Sequence, residues 1–509
     1  MSTDGIGSVD SFREYLDRLS DHGQCNRIEE RISWNLEASA VTMQANECDT
    51  QIPVFEDVSD TSDSRLVGDP YRGPRGKPWK RIAMALGLTD VKTTDGYYEE
   101  IIDRVRSPLS PTVIDDDDAP CKDTVRTDDF DLLSFPWPFL HVGDGGRYSN
   151  LHTLIAADRD TAWTDWSSHR AMLHDNTRAS VLLLAGEQTP NIYYYKYERH
   201  DEPMPVAIAI GAEPAVECVS AMWIPTGRDE AEFASGLKRE PVELVQCESN
   251  DLLVPATAEI ILEGRILPNS RLDEGPYGDY FGYMHGPRRS MPVLEIDAIT
   301  HRDRPYIPFR VEWSEVGYAH NTTSSMEVAC VGPDATLGLR AAGFDVEKLA
   351  PWPFSPRTVY VISTATSRPD KLHELANFIF TTWGMLHVDF FVFVDEDVDP
   401  FNQRAVLEAI ALHADPDTDF HQFGAESMPK VPLNIYQTPE EKGDVQMGTS
   451  KSKTAKTYID ATRPDGAERR TGGLNMDGER RERVREILET AGIDNKRGEP
   501  VKTGLGESQ

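Results

Sequence analysis

Long apolar runs, paired cysteines and an excess of cations are what this sequence of 509 residues lacks. No apolar run approaches the roughly 18 residues that a membrane-spanning helix needs. The stretch from Met1 to Ser8 shows no basic segment followed by an apolar core, as a secretion signal would. Lys and Arg number 52 against 86 Asp and Glu, and the net charge of −34 disfavours nucleic acid and anionic membranes as partners. We therefore expect a cytoplasmic protein that binds neither.

The six cysteines are widely scattered and form no Cys-x-x-Cys pair. This pattern argues against a disulfide framework and a zinc ribbon, and it predicts reduced thiols. The sequence also has no histidine cluster with metal-ligand spacing, which weakens the hypothesis of chemistry carried by a metal ion alone. The acidic excess is spread along the chain and is densest at Asp115 to Asp118, which indicates adaptation to high salt.

The length predicts two or three domains of mixed α/β (α+β) class. Residues 1–115 have the pattern of an α/β opening domain, in which Ser11 and Glu14 form a capping box at the start of an amphipathic helix. Residues 116–310 consist of short apolar runs separated by turns. That spacing is typical of a β-rich, barrel-like domain.

The remainder of the chain alternates between strand and helix patterns. Residues 311–462 include a predicted strand at Thr358 to Ser363 and a predicted helix at Lys371 to Thr382, which indicates a third α/β domain. Residues 463–509 are a flexible linker followed by an amphipathic helix capped by Asp477. We expect that helix to dock on a neighbouring subunit or on its own chain.

The most informative stretch runs from Leu272 to Tyr283, where two carboxylates flank a Gly-Pro-aromatic-Gly turn. A tight turn can direct Glu274 and Asp279 into one cleft instead of toward water. Paired acids in a dry cleft have pKa values that are pushed apart, which proton donation requires. An acidic surface loop is the alternative interpretation of the same residues.

Two further stretches carry groups suited to binding an anion or a metal. Trp163 to Arg170 offers a carboxylate, hydroxyls and a guanidinium, although a strand with polar residues facing solvent would look the same. Ile224 to Glu230 adds a carboxylate at a helix start, where acids are common for electrostatic reasons. Gly143-Asp144-Gly145-Gly146 lacks the dinucleotide-binding glycine pattern and is better interpreted as a turn.

Taken in this order, these stretches resemble the UbiD-type decarboxylases, the family that includes the polyprenyl-4-hydroxybenzoate and ferulic acid decarboxylases. The similarity covers nearly the whole chain and is most specific in two segments, ESNDLLVPATAEIILEG (248–264) and EGPYGDYFGY (274–283). The resemblance implies an N-terminal α/β domain, a central split β-barrel that binds prenylated FMN, and a C-terminal α/β oligomerisation domain with a terminal helix. It also implies a flavin prenyltransferase as the cofactor source and a homo-oligomer, dimer or hexamer.

The resemblance assigns catalytic roles to Arg170, Glu274 and Asp279. Asp279 matches the family's proton donor, and Glu274 matches the acid that pairs with the arginine, here Arg170. It places the cofactor against nine residues: Asp165, Ser167, Ser168, His169, Arg170, Glu187, Gln188, Met222 and Glu230. Three of these, Asp165, Gln188 and Glu230, match the positions that hold a divalent metal.

The metal positions depart from the family pattern. Asp165 stands where an Asn is usual, and Gln188 where the ferulic-type enzymes carry a His. Both changes give a harder, more anionic donor set, which favours Mg²⁺ or Mn²⁺, with K⁺ as a further cation. The lysine that reaches the flavin phosphate in ferulic-type members has no counterpart near Thr381 to Trp383.

The leading hypothesis is a reversible, non-oxidative decarboxylase of an aromatic, heteroaromatic or α,β-unsaturated acid. Such a reaction needs a cofactor, because the carbanion left by CO₂ has no neighbouring electron sink. One alternative is a decarboxylase of an isoprenoid-pathway phosphate acid, which a basic cluster in the pocket would support. The other is a flavin-binding relative that has lost the reaction.

Overall fold

Four β-sheets with helices packed on them make up the part of the chain that the computed structural model describes. That part comprises residues 7–60, 63–184, 187–279, 288–312, 320–352, 358–365, 369–381, 388–429, 438, 453–464 and 478–492. Met1–Thr462 form one unit and Arg463–Gln509 a second. The second unit contains a helix, Gly478–Thr490, and its predicted cap Asp477 lies outside the described residues.

The elements are as follows. The helices of the first unit are α1 (Phe12–Asp21), α2 (Glu37–Glu47), α3 (Lys80–Ala85), α4 (Thr94–Val105), α5 (Gln188–Asn191), α6 (Pro214–Ala221), α7 (Glu230–Lys238), α8 (Thr322–Met326), α9 (Gly332–Ala341), α10 (Pro369–Thr381) and α11 (Gln403–His413). The strands are β1 (Cys25–Ile28), β2 (Ile52–Phe55), β3 (Arg65–Gly68), β4 (Thr112–Val113), β5 (Thr124–Arg126), β6 (Arg147–Ser149), β7 (Thr153–Ala157), β8 (Thr164–Ser167), β9 (Ala171–Leu173), β10 (Arg178–Val181), β11 (Met204–Ile210), β12 (Glu243–Gln246), β13 (Leu253–Pro255), β14 (Ile260–Glu274), β15 (Arg289–His301), β16 (Tyr306–Phe309), β17 (Val346–Pro351), β18 (Val359–Thr364), β19 (Phe390–Asp395), β20 (Phe420–Pro429) and β21 (Lys453–Asp460).

Helix α1 forms because its apolar residues recur at helical spacing, and four of them are buried: Phe12, Tyr15, Leu16 and Leu19. The Ser11 hydroxyl accepts the N–H of Glu14 at 3.2 Å, as predicted. The second half of the predicted capping box is wrong, because the Glu14 carboxylate accepts the N–H of Asp10 at 2.8 Å instead of that of Ser11. Arg18 pairs with the other oxygen of this carboxylate at 3.0 Å, which also holds it in place.

The central sheet contains nine of the described strands in the order β6-β9-β10-β15-β14-β11-β7-β8, with β5 added to β15. It is an open, curled half-barrel, which agrees with the split barrel that the resemblance implies. Strands β14 and β15 are its longest members, at 15 and 13 residues. The first residues of β14 are buried on both faces, with Ile260 and Leu262 in one apolar core and Ile261 in another, and β14 ends at Glu274.

A strand from the end of the predicted central domain completes the N-terminal sheet. The order of that sheet is β1-β2-β3-β16, and β16 runs parallel to β3 with Tyr306 opposite Arg65. A small sheet, β13-β12-β4, likewise joins residues from either side of the boundary predicted at 115. The boundaries after residues 115, 310 and 462 therefore stay predictions.

The C-terminal sheet has the order β17-β18-β19-β21-β20, and α10 and α11 accompany it. Its strand β18 and helix α10 lie within two residues of the predicted elements. Helix α10 buries the apolar face that its periodicity predicts, with Leu372, Leu375, Ala376 and Ile379 in one core. Among the described residues, no helix combines the length and the apolar character that crossing a membrane would require.

Candidate active site

Three predicted residues meet in a buried ion-pair network. Arg170 lies just before β9, Glu274 ends β14, and Asp279 follows the turn after it. The Arg170 Nε and Nη2 atoms donate to the two carboxylate oxygens of Glu274 at 2.8 and 3.2 Å. Its Nη1 donates to Asp279 Oδ2 at 2.6 Å. The three residues are 7%, 2% and 7% exposed, so the sequence was right to place both acids in one cleft.

The two carboxylates keep the arginine charged despite its burial. Removal from water lowers the pKa of Arg170, but Glu274 and then Asp279 raise it above its ordinary value. The reverse also holds, since each buried carboxylate gains a short charge-assisted hydrogen bond from a guanidinium that cannot lose its proton. The network can therefore hold an acid in a fixed orientation in a site closed to bulk water.

Aromatic residues that sequence reasoning did not single out support this network. The ring of Tyr277 lies 4.3 Å from the Arg170 Cζ atom, within cation–π range. Tyr148 donates its hydroxyl to Glu274 Oε1 at 3.2 Å, and Asn150 donates its amide to the Tyr277 hydroxyl at 2.7 Å. Tyr277 occupies the aromatic position of the Gly-Pro-aromatic-Gly turn, which was the available sequence signal.

A second guanidinium, that of Arg289, lies close to the network. Arg289 pairs with Glu274 across β14 and β15, so the two side chains share one face of the sheet. Burial and then the charge of Arg170 lower the pKa of Arg289 to about 10, while Glu274 and Asp279 oppose that shift. No sequence motif marks Arg289, because its position beside the network depends on strand register.

Six of the predicted cofactor-binding residues line one cavity of about 290 Å³: Ser167, Ser168, His169, Glu187, Gln188 and Met222. They come from β8, the start of α5 and the end of α6, so the half-barrel and its helices build the cavity together. Arg170 follows His169 directly in the chain, which places the ion-pair network next to the cavity. The network and the cavity are also joined by Asn150, whose side chain bonds the backbone of the cavity residue Arg310.

His169 presents a hydrogen-bond acceptor in this region. Its Nδ1 lies 3.2 Å from the carbonyl oxygen of Leu182, and its Nε2 is buried without a hydrogen-bond partner. Burial lowers the pKa of His169 to about 4, so the ring is neutral near pH 7. The contact with Leu182 assigns the proton to Nδ1 and leaves the lone pair on Nε2.

Two of the three predicted metal ligands, Asp165 and Glu230, form an acidic pair, and the third, Gln188, precedes Thr189, whose hydroxyl bonds Asp165. Asp165 lies on β8 and accepts hydrogen bonds from the hydroxyls of Ser167, at 3.0 Å, and Thr189. Glu230 begins α7, where burial and then the charge of Asp165 raise the pKa of Glu230 to about 9. Its Oε2 and the Oε1 of Gln188 are buried without hydrogen-bond partners.

This donor set fits a hard cation. Two buried carboxylates that repel each other gain most from a bound positive charge. The two orphaned oxygens are the kind of ligand that Mg²⁺ and Mn²⁺ prefer. The described residues contain no group of three or more His, Cys, Asp or Glu side chains placed to hold a metal, and here the third donor is an amide.

The cavity is richer in acids than the sequence predicted. Glu217 is 2% exposed, its Oε1 has no hydrogen-bond partner, and burial raises its pKa to about 8. Asp334 accepts the backbone N–H of Trp223 at 2.8 Å, and burial raises its pKa to about 7. Both line the cavity from α6 and α9. Neither residue lies in a recognisable sequence motif, so only the packed structure shows that both line the cavity.

Comparison with known proteins agrees with this geometry. Three models match in succession: the 3-octaprenyl-4-hydroxybenzoate carboxy-lyase N-terminal domain over residues 16–105, its Rift-related domain over 112–313 and its C-terminal domain over 345–461. The chain belongs to the UbiD family of carboxy-lyases. Within the UbiD family it is similar to ferulic acid decarboxylase 1 of Saccharomyces cerevisiae, with 28% identity over 459 residues that cover 86% of this chain and 89% of the relative. It is also 28% identical to pyrrole-2-carboxylic acid decarboxylase of Pseudomonas aeruginosa over 445 residues, 85% of this chain and 88% of the relative.

Solved structures of UbiD-class enzymes share the fold. HmfF from Pelotomaculum thermopropionicum, in complex with prFMN, has a TM-score of 0.74 and 28% identity, covering 93% of this chain and all (100%) of the other. The closed form of vanillic acid decarboxylase from Sedimentibacter hydroxybenzoicus has a TM-score of 0.83 and 25% identity, covering 95% of this chain and 100% of the other. Each of these two matches covers more than nine-tenths of this chain, at 93% and 95%.

Proposed function

We propose that this protein is a prenylated-FMN-dependent decarboxylase that removes CO₂ reversibly from an aromatic, heteroaromatic or α,β-unsaturated carboxylic acid. The observation that carries the proposal is the buried network in which Arg170 holds Glu274 and Asp279, next to the cavity. The relatives named above act on ferulic and pyrrole-2-carboxylic acids, which are of the proposed class. The prFMN bound to HmfF supports the choice of cofactor.

Asp279 would supply the proton that replaces CO₂ on the substrate carbon. It would donate from its protonated form, and the carboxylate left behind would be stabilised by Arg170, whose Nη1 lies 2.6 Å from Asp279 Oδ2. Burial of the site favours transfer to a bound carbon over exchange with solvent. Glu274 takes the other two hydrogen bonds of Arg170 and fixes the direction of the guanidinium. Arg170 also places a positive charge where the substrate carboxylate would lie and would orient it.

The cofactor would occupy the cavity lined by Ser167, Ser168, His169, Gln188 and Met222. When bound, prenylated FMN supplies the electron sink that an aryl or vinyl carbanion lacks. Small hydroxyl side chains and the unprotonated Nε2 of His169 offer hydrogen-bond partners to a polar ring system, and Met222 offers an apolar contact.

A divalent metal would complete the cofactor site. Asp165, Gln188 and Glu230 would hold Mn²⁺ or Mg²⁺, with K⁺ as a further cation, because their orphaned oxygens and mutual repulsion favour a positive charge. Such an ion would supply positive charge to the acidic pair and to an anionic cofactor, in a sequence that has no counterpart of the flavin-phosphate lysine of ferulic-type members. Of the positions compared with that lysine, only Thr381 lies among the described residues.

A phosphate-bearing isoprenoid acid is the less favoured substrate. The cavity lining has one basic side chain, Arg310, among the described residues, and its Nε lies 2.9 Å from Glu312 Oε1. Four carboxyl side chains share that lining: Glu187, Glu217, Glu327 and Asp334. Among the described residues, the lining therefore offers a second anionic group on the substrate only the cation of Arg310, whose charge Glu312 already partly offsets. A non-catalytic role is also disfavoured, since the acid–base network is complete.

The test is reconstitution followed by substitution of Asp279. The protein is co-expressed with a flavin prenyltransferase, the proposed cofactor source, and assayed for CO₂ release from ferulic, pyrrole-2-carboxylic and vanillic acids. We expect Asp279→Asn to retain the flavin absorption of the wild type and to lose turnover and deuterium exchange into the product, by about 100-fold or more. Near-normal turnover of that variant would remove Asp279 from the mechanism.

The assembly is part of the same proposal. We expect a homodimer or homohexamer, and light scattering on the reconstituted protein distinguishes these two states from a monomer.

A wild-type protein that binds prenylated FMN but releases no CO₂ from any acid of the proposed class would favour the non-catalytic alternative.

A further inference from the structure

The loop around Gly143 and Asp144 contacts the turn that carries Asp279. The Asp144 carboxylate accepts the backbone N–H of Gly278, the residue before Asp279, at 2.8 Å through Oδ1. Its other oxygen, Oδ2, accepts the backbone N–H of His141 at 2.9 Å and faces the Nδ1 of the same residue at 3.2 Å. One carboxylate therefore joins the loop to the turn.

Backbone contacts lock the same two segments together. The N–H of Gly145 donates to the carbonyl oxygen of Pro276 at 2.7 Å. A Cβ atom on Gly145 would overlap the carbonyl group of Gly275, and one on Gly278 would overlap the imidazole of His141. The approach is close enough that both positions exclude any side chain. This requirement explains two of the glycines in the two motifs.

Burial makes the Asp144 contact energetically important. The Asp144 side chain is fully buried, with 0% of its surface exposed, and the His141 side chain is 11% exposed. A backbone N–H in such a place, if its acceptor is removed, keeps the full cost of desolvation. The peptide of Gly278 would then turn toward another acceptor and carry the Asp279 side chain with it.

We propose that Asp144 is a positioning residue for the proton donor, acting through the Gly278 N–H. The inference rests on the role proposed above for Asp279. Arg170 binds the end of the Asp279 side chain, whereas Asp144 fixes the peptide from which that side chain projects. Two independent anchors define where the carboxyl oxygen lies, and a displacement of about 1 Å at a reacting group costs roughly 100-fold in rate.

The first arm of the test requires no turnover. Backbone hydrogen exchange, followed by mass spectrometry of peptides that end near Asp279, is compared between the wild type and the Asp144→Asn and Asp144→Ala variants. We expect exchange at Gly278 to become about 10-fold faster in Asp144→Ala and to change less in Asp144→Asn, whose amide oxygen can still accept one N–H. Unchanged protection in both variants would overturn the inference.

The second arm measures kcat and KM of the flavin-loaded variants with the best substrate among ferulic, pyrrole-2-carboxylic and vanillic acids. We expect kcat to fall about 10-fold in Asp144→Asn and about 100-fold in Asp144→Ala, with KM changed by less than about 3-fold and flavin absorption retained. Deuterium incorporation into the product should slow in parallel. Equal losses in kcat and flavin binding would indicate a merely structural role and overturn the inference.

Asp131→Asn is the matched control. Asp131 also accepts a backbone N–H, that of Leu133 at 2.8 Å, but it is exposed and belongs to another loop. Its substitution should leave both exchange at Gly278 and kcat within about 2-fold of the wild type. If the wild type turns over no acid of the proposed class, the proposed function fails, and the hydrogen-exchange arm still decides whether Asp144 holds the turn.

Discussion

Substitution of the cavity acid Glu217 by glutamine should make the protein more stable, and increasingly so as the pH rises. Glutamine has nearly the shape of a protonated carboxyl and does not ionise. The pKa of Glu217 rises from 4.5 to about 8, because burial penalises the carboxylate more than the nearby Arg310 favours it. The folded protein therefore binds this proton more tightly than the unfolded chain does.

The sign and size of the change in stability with pH follow from the difference between the folded and unfolded pKa values of Glu217. Between about pH 4.5 and pH 8 the unfolded chain releases the proton and the folded protein keeps it, so stability falls as the pH rises. Each pKa unit is worth about 1.4 kcal/mol, so the loss is about 2 kcal/mol near pH 6 and about 4 kcal/mol near pH 8. Glu217→Gln removes this loss and should gain about 2 kcal/mol more near pH 8 than near pH 6.

Urea denaturation followed by tryptophan fluorescence at fixed salt gives the free energy of unfolding at each pH. The control is Glu240→Gln, a substitution of an exposed acid just beyond the C-terminal end of α7. Wild-type and Glu217→Gln curves that run parallel from about pH 6 to pH 8 would refute the conclusion that folding protonates Glu217. They would also mean that the cavity admits enough water to solvate a carboxylate.

Two further predictions concern the ion-pair network and the metal site. Arg170→Met should cost about 3–5 kcal/mol in the free energy of unfolding, because it removes the cation that binds both buried carboxylates, and added Glu274→Gln should recover part of it. A loss below about 1 kcal/mol in the same urea assay would contradict the burial of that pair. Gln188→His should bind Mn²⁺ more tightly in calorimetric titration, since imidazole nitrogen is a stronger ligand than an amide oxygen for transition metals. Unchanged affinity would place Gln188 outside the metal site.

The sequence predicted the elements that depend on local pattern. The first helix follows from apolar residues at helical spacing, and Leu372 to Ile379 form the buried face of α10 as expected. The central sheet was predicted as β-rich from its short apolar runs. The length of its two long strands was not predicted, because a 15-residue strand such as Ile260–Glu274 contains polar and bulged segments that look like turns.

In the site, the local motif predicted that Glu274 and Asp279 share one cleft, and the family resemblance added Arg170. Arg170, Glu274 and Asp279 were all identified, although 104 residues separate the first two. Arg289 and Glu217 were not identified. Strand register brings Arg289 to the site and helix packing brings Glu217, and neither effect produces a recognisable motif in the neighbouring sequence. Asp144 was interpreted as part of a plain turn, which is correct for its backbone but omits the partner of its carboxylate.

The pairing of β16 with β3 has a consequence for how the site is assembled. Tyr306 and Arg65 are 241 residues apart in the chain, so the N-terminal sheet stays incomplete until the half-barrel has been synthesised. Arg310, which lines the cavity, is the first residue after β16, and its position is therefore set by the opening segment of the protein. Contacts between residues so far apart in the sequence form late in folding. We expect that a chain shortened at its N-terminus would lose the cavity itself, and that the cofactor cannot be captured before the last part of the central domain has left the ribosome.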